Sequence, residues 1–153
     1  MTLISAFERI CQAIYNVSVK QSLKSPPLDL LFRALADPTR LRLLNLIADK
    51  EICVCYFVDI LRTSQPKISR HLAYLRKAGV VTSRRQGRWM HYRLAPLSDE
   101  AVAGIMKETL AHLRRMPEMR ADLGKLESAC CSPNASAESR QAPQPLILPI
   151  IAE

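Results

Sequence analysis

The chain has 153 residues, 48% of them apolar and 5% aromatic, with a formal charge of +8. That length suits one domain with tails, and a core rich in Leu, Ile, Val and Ala favours helices over a β-sandwich. No apolar run approaches the roughly 18 residues of a membrane span, and the N-terminus lacks the basic start, apolar middle and cleavage site of a secretory signal, so a cytoplasmic protein is expected.

Residues 1–27 form an N-terminal arm. Its amphipathic stretch, Ile4 to Val19, places Phe7, Ile10, Cys11 and Ile14 at helical spacing, and Ser25-Pro26-Pro27 breaks it off. A short helix is predicted over Leu28–Ala36. Asp37 is a good N-cap and Pro38 a good first-turn residue for a helix over Thr39–Asp49, whose Leu41, Leu44, Leu46 and Ile47 supply core. A third helix is predicted from Val54 to Leu61. Ser64 then caps a fourth helix, with Pro66 in its first turn, that runs to about Ala78 and stops at Gly79 in a left-handed conformation. On this helix Ile68, Leu72 and Leu75 form one stripe; Lys67, Arg70, Tyr74 and Lys77 take the opposite face. Two strand-like runs, Val80–Arg85 and Trp89–Leu94, are joined at Gln86-Gly87-Arg88 into a β-ribbon.

Ser98 is expected to cap a fifth helix, with Asp99 and Glu100 in its first turn and Arg114 and Arg115 in its last. Its stripe of Val102, Ile105, Met106, Leu110 and Leu113 has no obvious home in so small a fold and is expected to face a second subunit. Residues 28–116 thus form the main domain and 117–153 a C-terminal extension, largely disordered after 131, where Pro, Ser, Ala and Gln dominate.

Charge locates the function. Between Gln65 and Arg93 stand eight basic residues and no acidic one, while the rest of the chain has fourteen of each sign. A field so concentrated attracts a polyanion. Helix, capped turn, helix and basic ribbon together make a winged helix-turn-helix, mainly α with a small β-wing, dimeric through its terminal helices. In that fold the second helix presents its N-terminal side chains to base edges in double-stranded DNA while the wing follows the backbone. Gln65, Ser69 and Arg70 are the candidates for base edges. Lys67, Arg84, Arg85 and Arg88 are read as phosphate contacts, with Ser64 and Tyr74 on the same exposed surface. His71, at the edge of the stripe, is either a packed structural histidine or a phosphate donor.

These residues resemble a known family. Leu35-Ala36-Asp37-Pro38-Thr39-Arg40-Leu41-Arg42, Ile52-Cys53-Val54-Cys55, Ser64-Gln65-Pro66-Lys67-Ile68-Ser69-Arg70-His71-Leu72, Leu75-Arg76-Lys77-Ala78-Gly79-Val80-Val81 and Gly87-Arg88-Trp89-Met90-His91-Tyr92-Arg93-Leu94 are similar to the ArsR–SmtB metal-sensing repressors, in that order and spacing, over about residues 28–115. The resemblance implies a homodimer that binds an operator when metal-free and leaves it when an ion binds.

Five cysteines, an odd number, in a chain without an export signal point to reduced thiols serving as ligands or reactive groups. Cys53 and Cys55 can share one soft ion if the backbone there is not fully helical. The resemblance implies trivalent arsenic or antimony as the inducer, with cadmium or lead as the alternative and no permanently bound cofactor. Arsenic-responsive members often place a third cysteine one turn later, where this chain has Val58. Cys11 resembles the N-terminal arm thiols of cadmium and lead sensors, and Cys130-Cys131 the C-terminal thiols of other arsenic sensors. Cys11 also reads as a buried apolar residue, and Cys130-Cys131 as an idle pair in a loose tail. The family's second site on the fifth helix looks absent: Asp99 is in place, but Ala101 and Gly104 stand where histidines are needed and His112 is alone. An enzyme is disfavoured, since no acidic partner or glycine loop accompanies the cysteines and His71. A thiol-redox repressor is the stronger rival.

Overall fold

A computed structural model describes residues 26–129 and 141–148 of the chain. The arm helix expected at Ile4–Val19, Cys11 and the Cys130-Cys131 pair lie outside the described residues. Among the described residues these elements follow in order: α1 Leu28–Leu35, α2 Pro38–Ile47, β1 Lys50–Cys53, α3 Val54–Leu61, α4 Gln65–Lys77, β2 Val81–Gln86, β3 Trp89–Leu94, α5 Glu100–Leu113, α6 Pro117–Ala129 and β4 Leu146–Ile147.

Local rules set most boundaries. The Asp37 carboxylate accepts a hydrogen bond from the Arg40 amide at 2.9 Å, satisfying one orphan donor of α2 beside Pro38. Helix α3 has the predicted limits. Gly79, at φ +73°, ends the turn after α4 as expected, and Gly87, at φ +59°, supplies the left-handed step of the two-residue turn between β2 and β3. At α5 the expectation needs correction: the cap is Asp99, not Ser98, and its carboxylate accepts from the Ala101 and Val102 amides at 2.9 and 3.2 Å.

The helices bury one continuous core, with Leu31, Leu44, Ile47, Phe57, Leu72 and Leu75 fully inaccessible. Removing that apolar surface from water is the main stabilising term. The sheet runs β2-β3-β1-β4. Strand β1, which local pattern did not reveal, pairs antiparallel with β3 through Ile52 with Tyr92 and Cys53 with His91. On its other edge it pairs with β4, and the Leu148 amide donates to the Asp49 carbonyl at 2.9 Å.

Two further expectations are corrected. Val102, Met106 and Leu113 of α5 are buried within this chain, so part of the stripe finds a home in the fold, while Ile105 and Leu110 pack on the same core and stay half-buried. Helix α6, unexpected within the extension, packs on α2 and α3. Its Asp122, fully buried, accepts two hydrogen bonds from the Arg42 guanidinium at 2.6 and 2.8 Å. That pairing holds the Arg42 pKa above its ordinary value, chiefly through the hydrogen bond and against the cost of burial.

Candidate nucleic-acid interface and thiol pair

Helix α4 is two-sided, as its sequence requires. Ile68, Leu72 and Leu75 are fully buried, while Gln65, Lys67, Arg70, Tyr74 and Lys77 are exposed. Ser64 is the N-cap residue, but its carbonyl rather than its hydroxyl serves the helix, accepting from the Lys67 and Ile68 amides at 3.0 and 3.1 Å. Ser64, Gln65, Lys67 and Arg70 therefore lie together on one exposed surface at the start of α4, with Ser69 half-buried beside them. The helix N-terminus adds its positive end to that surface.

His71 and Tyr74 are less open. His71 is half-buried, its Nδ1 3.6 Å from Asp37 Oδ1, so it falls between its two sequence readings. The Tyr74 ring is stacked under the Arg40 guanidinium, 4.4 Å from centroid to charge. The sequence marks Asp37 as a helix cap and gives Arg40 no role of its own; the place of both beside α4 depends on a contact between elements that spacing does not reveal.

The wing arginines differ again. Arg84 Nε donates to Glu51 Oε1 at 2.7 Å, and Glu51, on β1, is buried. This pairing raises the Arg84 pKa, with the hydrogen bond as its main cause. Arg84 therefore anchors the wing to β1, while its side chain stays 45% exposed. Arg85 donates to the Gly87 carbonyl at 2.9 Å within the ribbon. Arg88 stacks on Trp89, 4.5 Å from the ring centroid, and contacts Gln141 from the C-terminal segment. Opposite Arg84 on β3 lies His91, buried, its Nε2 without a hydrogen-bond partner among the described residues. Burial, then the Arg84 charge, pushes its pKa below the ordinary value, against the opposing pull of Glu51.

The cysteines meet at a change of backbone. Cys53 ends β1 in an extended conformation, φ −69° and ψ 144°, and is the N-cap residue of α3; Cys55 sits in the first helical turn. This break from helical geometry brings the sulfurs together: Cys55 Sγ donates to Cys53 Sγ at 3.0 Å. Both are buried and neither is in a disulfide. Two converging sulfurs fit a soft ion, but among the described residues no group of three His, Cys, Asp or Glu side chains could hold one. Asp99 is engaged as the α5 cap and His112 is exposed on the same helix. Among the described residues no helix is long and apolar enough to cross a membrane.

Comparison with known proteins agrees with this geometry. Residues 37–83 match the family described as "Bacterial regulatory protein, arsR family". The chain is similar to the arsenic resistance transcriptional regulator ArsR1 of Pseudomonas putida, 49% identical over 84 residues, covering 54% of this chain and 64% of that protein. It is equally similar to the arsenical resistance operon repressor of Escherichia coli K12, 49% identical over 79 residues, covering 51% of this chain and 68% of that one. The chain thus spans about two thirds of the length of these relatives. Among solved structures, reduced HlyU from Vibrio cholerae superposes with a TM-score of 0.50 at 28% identity, over 69% of this chain and 99% of that one, and shares the winged helix-turn-helix.

Proposed function

We propose that this chain, which belongs to the ArsR family of bacterial regulatory proteins, is a repressor that holds operator DNA as a homodimer and releases it when arsenite or antimonite binds Cys53 and Cys55. It is a transcriptional regulator, not an enzyme. The observation that carries the metalloid reading is the meeting of the two sulfurs at 3.0 Å on the strand-to-helix junction. Trivalent arsenic takes three thiolates, and the third donor is assigned to Cys11, Cys130 or Cys131. A trigonal sulfur set favours arsenic or antimony over cadmium, which takes a fourth ligand.

On this reading Gln65, Ser69 and Arg70 read base edges, with Ser64, Lys67, His71, Tyr74, Arg85 and Arg88 grouped around the backbone. Support for a second subunit comes from α1, where Leu28 and Phe32, one turn apart, stay more than half exposed. The switch follows from what the junction touches. Cys53 is paired across the sheet with His91 of the wing, and α3, which begins next to it, packs on α4 and meets Tyr92 through Phe57 edge to face at 6.4 Å. Drawing both sulfurs onto one ion reshapes that junction. Wing and recognition helix then lose the mutual placement that two half-sites about 34 Å apart demand.

The same approach of the sulfurs favours one second reading, oxidation to a disulfide in which the two thiols give two protons and two electrons to a peroxide. One experiment separates them. A duplex is selected from a random-sequence pool by the reduced protein, and the complex is then titrated with arsenite, cadmium and hydrogen peroxide. Arsenite is expected to release the DNA at the lowest concentration, and Cys53→Ser/Cys55→Ser is expected to bind the duplex but ignore arsenite. Release of that double variant by arsenite would move the sensor elsewhere; release of the parent by peroxide alone would install the redox reading.

A further inference from the structure

The α1–α2 junction grips the recognition helix at two points one helical turn apart. Asp37 reaches His71, and Arg40 lies over Tyr74. Arg40 is itself held from several sides. Its Nε donates to the Ala34 carbonyl and its Nη2 to the Arg33 carbonyl, both at 2.7 Å, satisfying last-turn carbonyls of α1 that have no partner within the helix. Its Nη1 lies 3.7 Å from Asp37 Oδ2, and its side chain is only 13% exposed. A guanidinium so enclosed has few donors left for a phosphate. What it presents to the outside is the Tyr74 ring, on the face of α4 that also carries Lys67 and Arg70.

We infer that Arg40, oriented by Asp37, is a positioning residue for DNA recognition: it fixes the Tyr74 side of α4, and through it the placement of Arg70, without touching DNA itself. The inference rests on the proposed DNA reading of α4 and adds to it a link that no residue of the interface supplies. Arg40 ties three elements together, closing the end of α1, sitting in the first turn of α2 and stacking on α4. Base-edge contacts depend on angle and distance, whereas phosphate contacts tolerate small shifts. Loosening the clamp should therefore cost selectivity far more than general attraction.

The test compares the duplex that the wild-type protein selects from a random-sequence pool with an unselected duplex of the same length, by fluorescence anisotropy over a range of salt. Arg40→Ala is expected to weaken binding to the selected duplex about tenfold, the scale of a well-formed cation–π contact. Binding to the unselected duplex should hold, with an unchanged slope against salt because no phosphate contact is lost. In a Tyr74→Ala background the same substitution should add almost nothing, since both remove one contact. Arg40→Lys, which keeps the charge but not the planar fork, should behave like Arg40→Ala and serves in its place if that variant melts early. Equal loss on both duplexes with a shallower slope would make Arg40 a phosphate contact and overturn the inference, as would additive losses with Tyr74→Ala. A wild-type chain that selected no duplex would overturn the DNA reading and this inference together; one that selected a duplex, with an Arg40→Ala chain equally selective, would overturn the inference alone.

Discussion

The recognition helix and the wing carry four basic residues each, Lys67, Arg70, Arg76 and Lys77 against Arg84, Arg85, Arg88 and Arg93, yet the fold uses the two sets differently. On α4, Lys67, Arg70 and Lys77 are exposed and have no acidic partner among the described residues. In the wing, Arg84 is held by Glu51, Arg85 by the ribbon's own carbonyl, and Arg88 by Trp89 and Gln141, and of the four only Arg93 is exposed with no such hold among the described residues. The reason is geometric. A helix can aim one face wholly at solvent, while strand alternation sets Arg84 beside His91 on β3 and within reach of β1, where Glu51 stands. Charge density along a sequence measures the attraction for a polyanion; it does not say which cations are available to meet one.

This contrast breaks if stability and DNA affinity cannot be separated, and the largest effect tests that first. Asp122→Ala, in α6, leaves the Arg42 guanidinium without its bidentate partner and should remove about 3 kcal/mol of unfolding free energy in urea titrations. The folded fraction should still bind DNA normally, and a loss of intrinsic affinity would tie α6 to the interface. Next comes Arg70→Ala, expected to cost about 1–3 kcal/mol of discrimination between selected and unselected duplexes while leaving the urea midpoint in place. Arg84→Ala should do the reverse, lowering the urea midpoint because buried Glu51 loses its counter-charge, with less loss of DNA binding than Arg85→Ala. If Arg84→Ala and Arg70→Ala gave the same profile, helix and wing would not differ as described.

The smallest effect concerns pH. His91 has a folded pKa below the ordinary 6.5, so the unfolded chain takes up a proton before the folded one does. Stability is then unaffected above about 6.5 and falls as pH drops from there toward the lowered folded value. His91→Gln should flatten that part of the curve, read as the urea midpoint between about pH 7.5 and 5.5. An unchanged slope would assign the pH dependence to other groups.

What was legible in the sequence was local. The Asp37 cap, the limits of α3, the two faces of α4 and the left-handed Gly79 each depend on residues within a turn or two. What escaped depends on distance. Strand β1 has four residues and is defined by pairing with Tyr92 and His91 some forty positions on. Helix α6 places a carboxylate, Asp122, at a core position, which reads as a break in an apolar stripe until Arg42, 80 residues earlier, is seen to face it. The cover of the α5 stripe also lies far off in sequence, since α5 packs on α2, about sixty residues earlier. At the candidate site the thiol pair was visible from spacing, while the engagement of Arg84 and the clamp on Tyr74 were not.

In the proposed switch one junction serves both the ion and the DNA, and coupling of that kind is reciprocal. The direct measurement is the arsenite affinity of the reduced protein, by calorimetry, alone and saturated with the selected duplex. The account predicts that DNA weakens arsenite binding by the same factor as arsenite weakens DNA binding, within the roughly 5- to 150-fold range typical of such coupling. Arsenite binding of equal strength with and without DNA would contradict it.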